Sequence, residues 1–225
     1  DISFSLLEGE SLAVVGATGA GKSSLVNALC RFYEISRGDI LLDGISINKI
    51  NKHDLRRQIS LVQQDVFLFS GSILENIRLG NSHLEVDQIK SIARSVNLHR
   101  FVDCLPDQYE QNIRERGSLL SLGQKQLLSF ARALAVDPRI LVLDEATSSI
   151  DTETELQVQN GIKELIRGRT SIIIAHRLST LKNVDKILVL KEGRMAEYGT
   201  QKELLQKKGI YWKLYNLQAV NDVKL

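Results

Sequence analysis

One stretch near the start of the chain, GATGAGKSS at residues 16–24, restricts the fold more than any other. It fits the pattern G-x-x-x-x-G-K-[S/T] and lies between SLAVV at 11–15, which reads as a short buried strand, and Gly21–Arg31, which reads as the helix that follows. The glycines let the backbone curl so that its N–H groups point inward, and the positive end of the helix behind them adds to that field. Such a loop cradles phosphate. Lys22 is suited to reach the β- and γ-phosphates of a nucleotide, and the Ser23 hydroxyl to hold Mg²⁺. Gly16, Ala17, Thr18, Gly19, Ala20, Gly21, Lys22, Ser23 and Ser24 are therefore the candidate nucleotide-binding residues. An ordinary glycine turn capping a helix is the competing reading, and the strand-to-helix setting disfavours it.

Beyond this loop, strand and helix patterns alternate, the mark of a parallel sheet covered on both faces. Further strands are expected at 39–42 (DILL), 59–63 (ISLVQ), 140–143 (ILVL), 170–175 (TSIIIA) and 186–190 (KILVL), with a late edge strand at 193–198 and one or two helices over 201–217. Between Ser72 and Val136 the pattern changes. Apolar residues there recur at helical spacing, as in Ile89, Ile92, Ala93 and Val96, and no strand is expected. The expected class is α/β, with a mostly parallel core at 1–71 and 137–225 and an inserted α-helical subdomain at about 72–136.

Composition closes off several other classes. With 225 residues, 43% of them hydrophobic, the chain can bury a sizeable core and is neither disordered nor fibrous. Its net charge of +2 comes from scattered Lys and Arg, so no basic stripe argues for a nucleic-acid partner. Apolar runs such as SIIIA at 171–175 fall far short of the roughly 20 residues a membrane helix needs, and no signal peptide is evident. Cys30 and Cys104 lack metal-ligand spacing and read as small buried structural thiols of a reducing compartment.

Two further segments carry chemistry. In ILVLDEATSSID, 140–151, an apolar strand ends in two carboxylates. Asp144 is delivered to the pocket floor, where phosphoryl-transfer sites place the acid that holds the metal, and Glu145 points to a different side, suited to polarise the attacking water. A plain strand-to-helix turn with solvated acids is the alternative. In LLSLGQKQ, 119–126, Ser121 and Gln124 form an S-x-x-Q capping box, and Leu127, Leu128, Ala131 and Leu134 give the helix behind it an apolar face. A second anion-reading helix start is surplus to a chain with one nucleotide pocket.

LSLGQ at 120–124 closely resembles the LSGGQ signature of ATP-binding cassette (ABC) proteins, and with the loop at 16–24 and ILVLDE nearly the whole chain resembles the nucleotide-binding domain of ABC exporters. The resemblance implies a P-loop NTPase (RecA-like) core, with ATP and Mg²⁺ as ligands and Glu145, His176, Lys22 and Gln64 as catalytic residues. Gln64 is similar to the Q-loop glutamine, five residues before the phenylalanine corresponding to Phe69; Ser23, Gln64 and Asp144 would hold the metal. His176 resembles the switch histidine, Ser149 and Asp151 the D-loop, and Glu115 the exporter-type X-loop acid. In that family two such domains pack head to tail, so Ser121, Leu122, Gly123 and Gln124 would contact the partner's ATP.

FLFSGSILENI and ERGSLLSLGQ point to the exporter branch, at the cytoplasmic face of a plasma (inner) membrane, with a transmembrane domain upstream on the same polypeptide and an adenine-stacking aromatic upstream of Asp1. Leu122 replaces the first glycine of LSGGQ while Glu145 is kept, which points to a heterodimer with unequal sites; a homodimer is the alternative. Two other readings are an ABC-type ATPase of DNA repair or chromosome organisation, against which stands the lack of a heptad run, and a non-hydrolysing regulatory module, against which stand Glu145 and His176.

Overall fold

The strand before the glycine-rich loop, β1 (Ser11–Val15), is buried along its length because it has a strand neighbour on each side. The computed structural model describes residues 1–79, 81–144, 152–175 and 184–222. After β1 come α1 (Lys22–Leu29), a small hairpin of β2 (Leu41–Leu42) and β3 (Ile45–Ser46), α2 (Lys52–Gln58) and β4 (Ile59–Val62). A helical block follows, with α3 (Ile73–Arg78), α4 (Val86–Ser95), α5 (His99–Asp103) and α6 (Leu122–Ala135). The chain then returns to the sheet through β5 (Ile140–Asp144), α7 (Thr152–Ile166), β6 (Thr170–Ile174), β7 (Lys186–Lys191) and β8 (Arg194–Gly199), and ends in α8 (Gln201–Lys207) and α9 (Ile210–Asp222).

The main sheet has the order β4-β5-β6-β1-β7-β8. Every neighbouring pair is parallel except β7 and β8, which run antiparallel at the edge. Successive side chains of a strand point to opposite faces, and β1 shows the result. Leu12 and Val14 join one core with Val26 and Leu29 of α1 and Leu55 of α2. Ala13 and Val15 join the other with Ile73 and Ile77 of α3, Ile89 and Ala93 of α4, and Leu127, Leu128 and Ala131 of α6. Both faces being covered, the central strands read as near-continuous apolar runs rather than alternating ones.

Two details differ from expectation. Residues 39–42 add no strand to the main sheet. Only Leu41–Leu42 is extended, and it pairs antiparallel with Ile45–Ser46 in a separate two-stranded sheet. The cause is local: Asp43 and Gly44 take φ of 49° and 78°, the positive values a two-residue Asp-Gly hairpin turn needs. Cys104 is not buried but exposed, because it caps the C-terminal end of surface helix α5, where its thiol donates to the Arg100 carbonyl at 3.3 Å. Cys30 is buried as expected, and burial pushes its thiol pKa up. In the tail, helix breaks at Lys208, which has φ of 51° and separates α8 from α9.

Candidate functional site

Parallel strands bring their C-terminal ends to one edge of the sheet, the edge at which open α/β folds bind ligands. Gly16 follows β1 there, and Asp144 ends β5, in register with Ile174 of β6, which is itself paired with Val14 of β1. A Cβ added at Gly16 would overlap the carbonyl oxygen of Leu190, so the neighbouring β7 also demands this glycine. Gly21, with φ of 101°, is the left-handed residue from which α1 starts. The β7–β8 turn braces the loop from outside: the Gly193 N–H donates to the Ala20 carbonyl at 3.1 Å.

Within the loop, the Lys22 ammonium donates to the carbonyls of Gly16 at 2.9 Å and Ala17 at 3.1 Å. Lys22 is only 7% exposed. Burial pulls its pKa below the ordinary lysine value, and the negative charge of Asp144 works in the opposite direction. Lys22 and Asp144 are thus close enough to feel one another's charge, although they lie far apart in sequence. Ala17, Thr18, Gly19, Ser23 and Ser24 are exposed on the loop and first turn, while Ala20 is buried beneath them. The loop is therefore curled around its own lysine, with its serine hydroxyls open to solvent.

Gln64 lies just past the end of β4 and is exposed, as is Gln63. Ser23, Asp144 and Gln64 offer a hydroxyl, a carboxylate and a carboxamide. These are hard oxygen donors suited to Mg²⁺, which keeps several waters and needs no cage of protein ligands. The described residues contain no cluster of three His, Cys, Asp or Glu side chains. Glu145, Ser149, Asp151 and His176 lie outside the described residues; Glu145 follows Asp144 and His176 follows Ala175 in sequence.

The segment expected as a second anion-reading element stands where the capping chemistry puts it. Gln124 N–H donates to the Ser121 hydroxyl at 3.3 Å, and Ser121 N–H donates to Gln124 Oε1 at 2.9 Å, a reciprocal box at the start of α6. Accepting that bond leaves the Ser121 hydroxyl its own proton to donate. Leu122 is 41% exposed, so a side chain points outward from the turn after Ser121. Since α6 packs on the face of the sheet opposite α1, the structure does not bring residues 121–124 into one cradle with residues 16–24. Glu115 is exposed in a short 3₁₀ turn just upstream, preceded by Arg114 at φ 59°, ψ −171°.

Sequence reading missed two contributors to this region. Gly193, which braces the loop, carries no local signal, because its partner is Ala20. Ser72 and Glu75 form a second capping box at the start of α3, and the S-x-x-E pattern that reveals it was legible.

Residues 1–148 match the family model described as ABC transporter. Over 217 residues the chain is 48% identical to the ABC transporter ATP-binding protein YknV of Bacillus subtilis (strain 168), covering 96% of this chain and 36% of that protein. It is 46% identical over 214 residues to the fatty acid ABC transporter ATP-binding/permease protein of Mycobacterium bovis, covering 95% of this chain and 34% of that one. Among solved structures, a bacterial Atm1-family ABC exporter with ATP bound matches at a TM-score of 0.90 and 39% identity, over 97% of this chain and 38% of its own. The chain thus spans about a third of the length of the relatives it matches.

Proposed function

We propose, from the premise that this chain belongs to the ABC transporter family as an ATP-binding domain of the exporter kind, that it hydrolyses MgATP to drive export across a membrane. The observation that carries the reading is the convergence at one sheet edge of a phosphate-type loop curled around Lys22 and the carboxylate of Asp144 that its ammonium feels. Lys22 and the loop N–H groups would bind the phosphates. Ser23, Asp144 and Gln64 would hold Mg²⁺, which offsets phosphate charge, and Glu145 would orient and deprotonate the attacking water, with His176 on the γ-phosphate. Glu145→Gln should leave ATP binding intact and lower turnover by roughly a hundredfold or more, the scale of a general base. Unchanged turnover in that variant would remove Glu145 from the role.

The opposite-face placement of α1 and α6 supports the partner reading. A single copy reads one ATP with residues 16–24 and offers residues 121–124 to another, so two copies, or this chain and a related one, would close head to tail over nucleotide. Leu122 in place of a glycine puts a side chain where backbone would otherwise approach the partner's phosphate, which favours an asymmetric pair over a homodimer. Residues 1–71 with 137–225 would be the nucleotide-binding core, and 72–136 the helical block packed on it. No helix among the described residues is long and apolar enough to cross a membrane. The membrane domain is proposed as part of the same polypeptide, as in the Mycobacterium relative, named an ATP-binding/permease protein, and the site of action as the cytoplasmic face of the plasma membrane. Its contact surface would be the groove of about 450 Å³ past Gln64, lined by Phe67, Phe69 and Leu79. Membrane floatation of the full polypeptide, and its absence from the membrane fraction as the contrary result, tests this placement.

A further inference from the structure

Arg132 lies on α6 about two helical turns beyond Gln124, and its whole guanidinium is spent on one stretch of loop and the helix beside it. Nη1 donates to the Phe67 carbonyl at 2.8 Å, Nη2 to Asn76 Oδ1 at 2.9 Å and Nε to the Asn76 carbonyl at 3.0 Å, while the group sits 5.7 Å over the Phe69 ring. Asn76, only 1% exposed, completes the clamp. Its Oδ1 accepts from Phe69 N–H at 3.0 Å, and its Nδ2 donates to the carbonyls of Phe69 at 2.9 Å and Ser72 at 3.0 Å. The backbone of 67–69 is thereby held as a neighbouring strand would hold it, but by two side chains from α3 and α6.

This is an expensive way to stabilise a loop. The partners Arg132 meets among the described residues are neutral oxygens, and burial pulls its pKa below the ordinary arginine value with no opposing contribution. An apolar side chain of similar volume would avoid that burial cost, at the expense of leaving the oxygens of Phe67 and Asn76 without this donor. What the guanidinium supplies instead is position: three donors in a rigid plane fix direction as well as distance. Gln64 lies between two fixed points, the buried end of β4 at Val62 and the clamped carbonyl of Phe67, so its reach is set by where the clamp places Phe67.

We propose that Arg132 is a positioning residue for hydrolysis: with Asn76 it ties the segment that bears Gln64 to the helix that bears Ser121 and Gln124, so that the metal-side and partner-side elements move as one body. The inference rests on the MgATP reading above and adds to it a residue that touches neither nucleotide nor metal.

The test compares wild type, Arg132→Met and Arg132→Lys for steady-state MgATP turnover against ATP and against Mg²⁺. Bound fluorescent ATP analogue counts the folded sites. Per folded site, Arg132→Met should keep the affinity for the analogue within about twofold, since the loop at 16–24 is untouched. Its kcat should fall about tenfold to a hundredfold, the range that a small misplacement remote from the chemistry produces, and its half-saturating Mg²⁺ should rise. Arg132→Lys keeps the charge and stem but not the planar fork, so it should fold and shift half-saturating Mg²⁺ in the same direction by less. A kcat loss that vanishes on normalising to folded sites would overturn the proposal, as would wild-type Mg²⁺ dependence in Arg132→Lys should Arg132→Met fail to fold. Wild type without MgATP turnover would instead overturn the functional reading beneath it.

Discussion

On the proposed function, Lys22 is a single side chain prepared for a phosphate ligand. Its ammonium is buried and donates to two loop carbonyls. A phosphate oxygen would offer a stronger, charge-assisted bond. At ligand concentrations about a hundredfold over Kd, binding to the folded state should stabilise the chain by about 2.7 kcal/mol, visible as a MgATP-dependent rise in thermal midpoint. Lys22→Ala should abolish that rise, and a shift equal to wild type would exclude the lysine from phosphate binding. Arg114 is a different case, since its backbone at φ 59°, ψ −171° occupies a region essentially reserved for glycine. Strain of this kind costs about 1–3 kcal/mol, and glycine's extra chain entropy offsets about 0.5–1 of it. Arg114→Gly should therefore stabilise the chain by about 0.5–2 kcal/mol in urea denaturation. A lower midpoint would show that the arginine side chain, rather than its backbone, dominates there.

Elements here are started by short polar signals and held by distant ones. Ser72–Glu75, Ser121–Gln124 and Thr200–Glu203 each form a reciprocal capping box, so α3, α6 and α8 begin where a local pattern says they begin. The alignment of β1 with β7 depends instead on a contact between residues far apart in the chain. Asp185 accepts from Ser11 N–H at 2.8 Å and from the Ser11 hydroxyl at 2.7 Å, and its own N–H donates back to that hydroxyl at 3.0 Å. The side-chain bond from Ser11, then the backbone one, hold the carboxyl pKa below the ordinary aspartate value. A depressed folded-state pKa adds stability that is fully present above the unfolded value of about 3.9 and is lost as pH falls through the folded value. Asp185→Asn should thus be less stable than wild type above about pH 4 and approach it in more acid solution. Urea midpoints that differ by a constant amount across pH 2.5–7 would remove Asp185 from the acid response.

At the scale of the molecule, the sheet keeps two candidate sites apart. One face carries α1 behind the loop at 16–24; the other carries α6, whose first turn includes the exposed Leu122. Mixing Glu145→Gln chain with MgATP and weighing the products by native mass spectrometry tests the pairing. On the asymmetric proposal the chain alone should remain largely monomeric with nucleotide bound, because Leu122 disturbs the approach to a second copy's phosphate. A stable homodimer carrying two ATP would establish the symmetric alternative.

What the sequence determined by itself is what local chemistry dictates. Glycine spacing with Lys22 and Ser23 marks the strand–loop–helix proposed to bind nucleotide, Asp144 closes an apolar strand, and Ser121 with Gln124 caps a helix. Each is readable because the residues that cooperate are neighbours in the chain. The Asp43-Gly44 hairpin was also legible, and it was misread because a short apolar run such as DILL does not reveal its pairing partner. Only the tertiary structure decided the rest: that Gly16 must be bare because Leu190 crowds it, that Cys104 faces solvent, and that Arg132 and Asn76 seize the loop beyond Gln64. These contacts join residues with no periodicity linking them, and they exist only once burial of the two faces of the sheet has brought distant segments together.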